Sequence, residues 1–195
     1  MMLTRRQMLH SIALLGAGGA LAGYSSTAED RGMKNIEQAI QRLIDREEIN
    51  ELMARYCRQA DLLDADGLAA CFTDDCVVAY VPASMGPPAR SKQELLGFLH
   101  EYFPNSVSST HYITNVELIF DTPDQVTAAT YMYSWQRFKT FPAAADCHRY
   151  GRYEFRILRT KDGWRFSHLN LLSAGEYGGS RIGEQFGRPW PPRFA

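Results

Sequence analysis

The chain has 195 residues, 45 % hydrophobic and 12 % aromatic, with a formal net charge of -1. That length supports one packed domain, and the near-neutral charge without a basic block argues against a nucleic-acid partner. Beyond roughly the first two dozen residues, no apolar run reaches membrane-spanning length.

The N-terminus reads as a targeting segment and stands apart from the fold. Paired arginines in Thr4-Arg5-Arg6-Gln7 precede the apolar run Ile12 to Ala22, the pattern of a twin-arginine export signal. Ala20-Leu21-Ala22 offers a small-x-small cleavage site. The expected organisation is a signal over 1–22, a polar linker over 23–34, a domain over 35–177 and a tail over 178–195, with a periplasmic destination. Proteins exported this way fold before crossing, so no disulfide framework is expected. Cys57, Cys71, Cys76 and Cys147 lack any C-x-x-C spacing and fall in apolar stretches, which suits buried free thiols. A Cys71–Cys76 bridge stays open in an oxidising compartment.

From Asn35 apolar residues recur at helical spacing: Ile36, Ile40 and Ile44, then Ile49, Leu52, Met53, Tyr56, Ala60 and Leu63. The charged run Asp45 to Glu48 interrupts that stripe, so the expectation is two helices or one bent helix. A short helix over Ala65–Phe72, with Asp64 and Asp66 available as caps, and a strand over Cys76–Val81 follow. Pro82 to Arg90 is loop. Ser91-Lys92-Gln93-Glu94 is a capping box that opens a helix through Phe103. His111–Phe120, Val126–Phe138, Cys147–Arg159 and Trp164–Ser173 read as four long strands, separated by turn residues at Asp121–Asp124 and Lys161–Gly163. Helices first and a strand meander after make an α+β domain.

In the third long strand Arg149, Gly151, Tyr153, Phe155 and Ile157 share one face by period two, apolar except at its start. The opposite face, His148, Tyr150, Arg152, Glu154 and Arg156, is mostly polar and suits solvent or a subunit contact. No His, Cys, Asp and Glu residues fall at metal-ligand spacing, and no glycine-rich phosphate loop follows a strand. Neither a metal nor a nucleotide or other cofactor is expected.

Taken together, Tyr56-x4-Asp61, Phe72-Thr73-Asp74-Asp75, Thr110-His111-Tyr112, Gly151-Arg152-Tyr153 and Asp162-Gly163-Trp164-Arg165-Phe166 resemble the SnoaL-like branch of the nuclear transport factor two-like superfamily. The resemblance implies a cystatin-like cone, a curved antiparallel sheet wrapped around the N-terminal helices, with a deep apolar pocket. It implies a cofactor-free lyase of the dehydratase or dehydrohalogenase type, acting on a small hydrophobic, aromatic or polycyclic compound. It further implies a homodimer or homotrimer without stable membrane insertion.

Residue by residue, His111 falls where the dehydratases and the dehydrochlorinase keep a catalytic histidine. Asp61 falls at the paired aspartate of the dehydrochlorinase and the bile acid dehydratase; the scytalone dehydratase pattern matches Asp64 instead. Tyr56 corresponds to a tyrosine or lysine in relatives, and Arg149 to a pocket arginine. Ser173 stands where the bile acid enzyme has an arginine, which argues against that substrate. The catalytic candidates are therefore His111 and Asp61, with Tyr56, Arg149, Asn115 and Tyr153 as substrate-binding candidates. His111 as general base competes with a histidine merely hydrogen-bonded at a strand start. An isomerase or cyclase using the same base, or a ligand-binding protein without turnover, are the competing functions.

Overall fold

The computed structural model describes residues 26–81, 87–139 and 146–177. The stretch read as an export signal, the tail over 178–195 and the middle of the Pro82–Arg90 loop lie outside the described residues. Among the described residues, those from 42 onward group as one compact unit and 26–41 as another.

One continuous helix, α1 (Ser26–Asp61), replaces the two helices or bent helix expected, and it begins within the stretch read as linker. The charges at Asp45–Glu48 do not break it because Asp45 is buried in an ion pair with Arg159 Nη2 at 2.7 Å. Arg159 also lies over the Trp164 ring at 4.2 Å. The stripe divides at that point. Ile36, Ile40 and Ile44 are exposed, whereas Ile49, Leu52, Met53, Tyr56 and Ala60 are buried in the core. Each large side chain in that set contributes about 1.5–3 kcal/mol by leaving water.

The end of α1 is built by its own backbone. Leu63 adopts φ +56°, and Asp64 N–H reaches back to Gln59 O at 3.0 Å, a left-handed helix terminus achieved without glycine. Asp64 then caps α2 (Ala65–Ala69) by accepting from Gly67 N–H at 2.9 Å. Strand β1 (Phe72–Val81) follows. Helix α3 (Lys92–Tyr102) starts at Ser91, whose Oγ accepts from Glu94 N–H at 3.1 Å. The return bond goes from Arg90 N–H to Glu94 Oε2 at 2.7 Å, one residue ahead of a strict capping box.

A single turn of 3-10 helix (Phe103–Asn105) leads into β2 (Ser106–Thr122), then β3 (Gln125–Phe138), β4 (Cys147–Thr160) and β5 (Gly163–Tyr177). These form a five-stranded sheet in the order β1-β5-β4-β3-β2. Pairing is antiparallel from β2 to β5, but β1 joins β5 in parallel, so the sheet is mixed.

Arg149, Gly151, Tyr153, Phe155 and Ile157 are all buried, as the alternation of β4 requires. The opposite face departs from the expectation of solvent at one position. Glu154 is fully buried there, and its carboxylate meets Arg152 Nη2 at 2.9 Å. A charge can leave water when a guanidinium goes with it. All four cysteines are free.

Candidate active site

Asp61 is the last residue of α1 and His111 sits near the start of β2. The two elements are far apart in sequence, yet Asp61 Oδ1 lies 2.7 Å from His111 Nδ1. Asp61 Oδ2 accepts the backbone N–H of the same histidine at 3.2 Å. Ser109 Oγ, two residues earlier on the same strand face, is 3.4 Å from Asp61 Oδ1 and 3.3 Å from His111 Nδ1. An ionised carboxylate only accepts, so the shared proton belongs on Nδ1 and the Nε2 lone pair faces away from the acid. The histidine side chain is 9 % exposed and the aspartate 29 %.

The contact fixes the ring from the Nδ1 side, at the C-terminal end of α1 where Asp61 lies. His111 borders two spaces. One is a small, partly open cavity and the other a wider groove that Asp61 lines with Cys57, Arg58, Leu62 and Tyr112.

The cavity has a volume of about 40 Å³. That holds about three waters at the ~10–15 Å³ each one needs, and is well below the ~150 Å³ of a cavity that accepts benzene. A ring compound is therefore larger than this space and extends toward its open side.

The sheet registers set out its polar floor. His111 pairs with Ser134 and Ser134 with Arg149; alongside, Ser109 pairs with Gln136. The opposite wall is aromatic. Tyr80 stacks on Phe98 with centroids 5.6 Å apart, and Phe98 stacks on Tyr102 at 5.4 Å. Tyr102 closes this wall against the floor by donating its hydroxyl to Gln136 Oε1 at 2.9 Å.

Tyr56, Arg149 and Tyr153 all line the cavity and are buried. The Tyr56 hydroxyl lies 3.5 Å from that of Tyr80. Burial pushes the Tyr56 and Tyr153 phenols well above their usual range and Tyr80 up to about 12, so all three stay neutral donors at physiological pH. Asn115 is placed elsewhere. It is exposed, adopts φ +52° at an irregularity in β2, and is not among the cavity-lining residues. Asparagine tolerates that left-handed conformation, which gives it a backbone role.

Tyr80, Tyr102, Ser134 and Gln136 line the cavity without having been singled out from the sequence. Their only sequence signal was periodic: Ser134 and Gln136 share a strand face by period two, and Phe98 and Tyr102 share a helix face at i, i+4. Among the described residues no group of three or more His, Cys, Asp or Glu side chains is placed to hold a metal ion. No described helix is long and apolar enough to cross a membrane.

Residues 41–170 match the family model of the SnoaL-like domain. No curated protein matches the chain. Among solved structures, one similar fold is a candidate scytalone dehydratase from Novosphingobium aromaticivorans, with TM-score 0.70 at 20 % identity over 77 % of this chain and 99 % of that one. A type 2 hexachlorocyclohexane dehydrochlorinase aligns with TM-score 0.65 at 20 % identity, over 78 % of this chain and 99 % of that one. A candidate aromatic ring hydroxylase, also from Novosphingobium aromaticivorans, aligns with TM-score 0.61 at 23 % identity, over 73 % and 94 %. At such identities the likeness is one of fold.

Proposed function

The chain belongs to the SnoaL-like domain family, and from that premise we propose that it is a cofactor-independent lyase of the dehydratase or dehydrohalogenase type. The observation that carries this reading is the 2.7 Å contact between Asp61 and His111 at the edge of a largely apolar cavity. His111 Nε2 removes a proton from substrate carbon. The electron pair of that C–H bond forms the new double bond, and the leaving group departs with its own bonding pair, as halide or, once protonated, as water. Asp61 fixes the tautomer and stabilises the imidazolium formed. Such a positioned base contributes about 10²–10⁴ in rate.

Tyr56, buried and neutral, serves as the donor to a developing oxygen or leaving-group charge, with Arg149 and Tyr153 at the same cavity. The substrate is a small hydrophobic organic compound. The same base would serve an isomerase or cyclase; release of water or halide separates the two chemistries. Screening hydroxylated and halogenated cyclic compounds with wild type and His111→Ala tests the reading. Turnover lost with the imidazole supports it, and turnover equal in both proteins refutes it.

The polar cluster Arg5-Arg6 before an apolar run supports export to the periplasm by the twin-arginine route; retention of a paired Arg→Lys variant in the cytoplasm would test it. Exposed Tyr112, Tyr131 and Tyr150 on the outer sheet face favour assembly as a homodimer or homotrimer. Light scattering that finds only a monomer would oppose this.

A further inference from the structure

We propose that Gln136 and Ser134 form a neutral oxygen-binding subsite, so that the substrate carries a carbonyl or hydroxyl oxygen close to the C–H that His111 attacks. This deepens the reading of His111 as the base and rests on it for the word substrate, but not for the binding itself. Both residues project from β3 toward the cavity, two positions apart. The register sets Ser134 directly across from His111 and Gln136 across from Ser109. Neighbouring strands lie about 4.8 Å apart, so the subsite begins within one strand spacing of the base.

The donor capacity of the pair is unspent. Tyr102 occupies Gln136 Oε1 from the side of α3, which leaves the carboxamide N–H groups as the donors this side chain still offers at the cavity it lines. Ser134 is 2 % exposed. Among the described residues neither Gln136 Nε2 nor Ser134 Oγ has a hydrogen-bond partner, and neither atom is sealed among apolar groups. Buried polar groups of this kind find a partner, and here the open side is the cavity. Neither residue is charged, so the matching group is a neutral acceptor oxygen.

A carbonyl held there would have its oxygen polarised, which acidifies the neighbouring C–H that faces His111. A purely halogenated hydrocarbon would leave the amide and hydroxyl covered and unpaired. Discrimination by unmet hydrogen bonds of this kind is worth about tenfold or more.

Two probes of the same shape test the subsite: 2-indanone and 2-methyleneindane, which differ only in C=O against C=CH2. Binding of each to the full chain is measured by NMR titration with wild type, Gln136→Leu, Gln136→Glu and Ser134→Ala. The expected result is a preference of about tenfold for the ketone in wild type. It falls to near unity in Gln136→Leu, reverses in Gln136→Glu, and weakens in Ser134→Ala, with 2-methyleneindane affinity unchanged. Equal affinity for both probes in wild type, no binding of 2-indanone, or an unchanged preference in Gln136→Leu overturns the proposal.

Deuterium uptake at the ring CH2 groups of 2-indanone, followed in the same samples, reports on the base. Uptake lost in His111→Ala with the ketone preference intact supports both readings. A ketone preference without uptake in wild type refutes the base and leaves the subsite standing.

Discussion

Asp61 holds His111 at two points: Oδ1 meets the ring at Nδ1, 2.7 Å away, and Oδ2 accepts the backbone N–H of the same residue at 3.2 Å. The second contact ties ring orientation to the register of β2, so the imidazole is positioned by strand and helix together. Asp61→Asn keeps the shape and an acceptor but loses the negative charge opposite the imidazolium. Turnover is expected to fall by about 10²–10⁴. Circular dichroism melting that shows an intact fold would separate this from loss of structure.

Tyr56→Phe removes one hydroxyl from a cluster of edge-on rings, its contacts with Phe72, Tyr153 and Phe166 being 5.8 to 6.0 Å between centroids. The ring packing survives. Stability is expected to change by about 1 kcal/mol or less, the net worth of one hydrogen bond. Turnover is expected to drop at least tenfold if that hydroxyl donates to a developing charge. Because burial holds the Tyr56, Tyr80 and Tyr153 phenols high, ultraviolet titration should show none of the three ionising below about pH 11 in the native protein.

Burial pushes the Cys57 thiol up to about 12, and those of Cys71 and Cys76 to about 11. The thiolate is the reactive form, so alkylation by iodoacetamide at pH 8 should be slow in the native state and rapid in denaturant. Mass spectrometry of modified peptides measures this directly.

His168 carries a depressed pKa because burial, and then the nearby Arg156, disfavour its charged form. The unfolded chain therefore binds this proton more readily. The stability His168 contributes is fully present above its unfolded value of about 6.5 and is lost as pH falls through the lower folded one. Melting temperature should decline from pH 7 toward pH 5, with a shallower decline in His168→Gln.

Gly151 sits at an irregularity in the pairing of β4 with β5, where an added Cβ would meet the backbone carbonyl of Leu172. Backbone cannot yield as a side-chain tip can. Gly151→Ala should destabilise by about 1–3 kcal/mol and disturb both Arg149 and Tyr153, its neighbours on the cavity face. Denaturant melting measures the loss.

How much of this could be read from the chain depended on the range of the interaction concerned. The Ser91–Glu94 cap and the four long strands follow from local spacing, and the structure places the strands within a few residues of the expected limits except at the start of β2. The parallel pairing of β1 with β5 was hidden because alternation says which face a residue takes, not which neighbour its strand finds. The same holds for Asp45, which reads as a helix breaker until Arg159 arrives from β4. Resemblance pointed to His111 and Asp61, and the structure brings them together. Tyr80, Tyr102, Ser134 and Gln136 belong to three separate elements and share no motif, so only the fold reveals that they meet. Asn115 shows the opposite case, a polar residue near the histidine in sequence that a bulge turns outward.

The most direct test needs no substrate. Proton-detected nitrogen NMR of the imidazole of His111 at pH 8.5, assigned by comparison with His111→Ala, reports which ring nitrogen carries the proton. The expected result is Nδ1–H, hydrogen-bonded to Asp61, with an unprotonated Nε2 facing the cavity. A proton on Nε2, or a tautomer unaltered by Asp61→Ala, would contradict the proposed base.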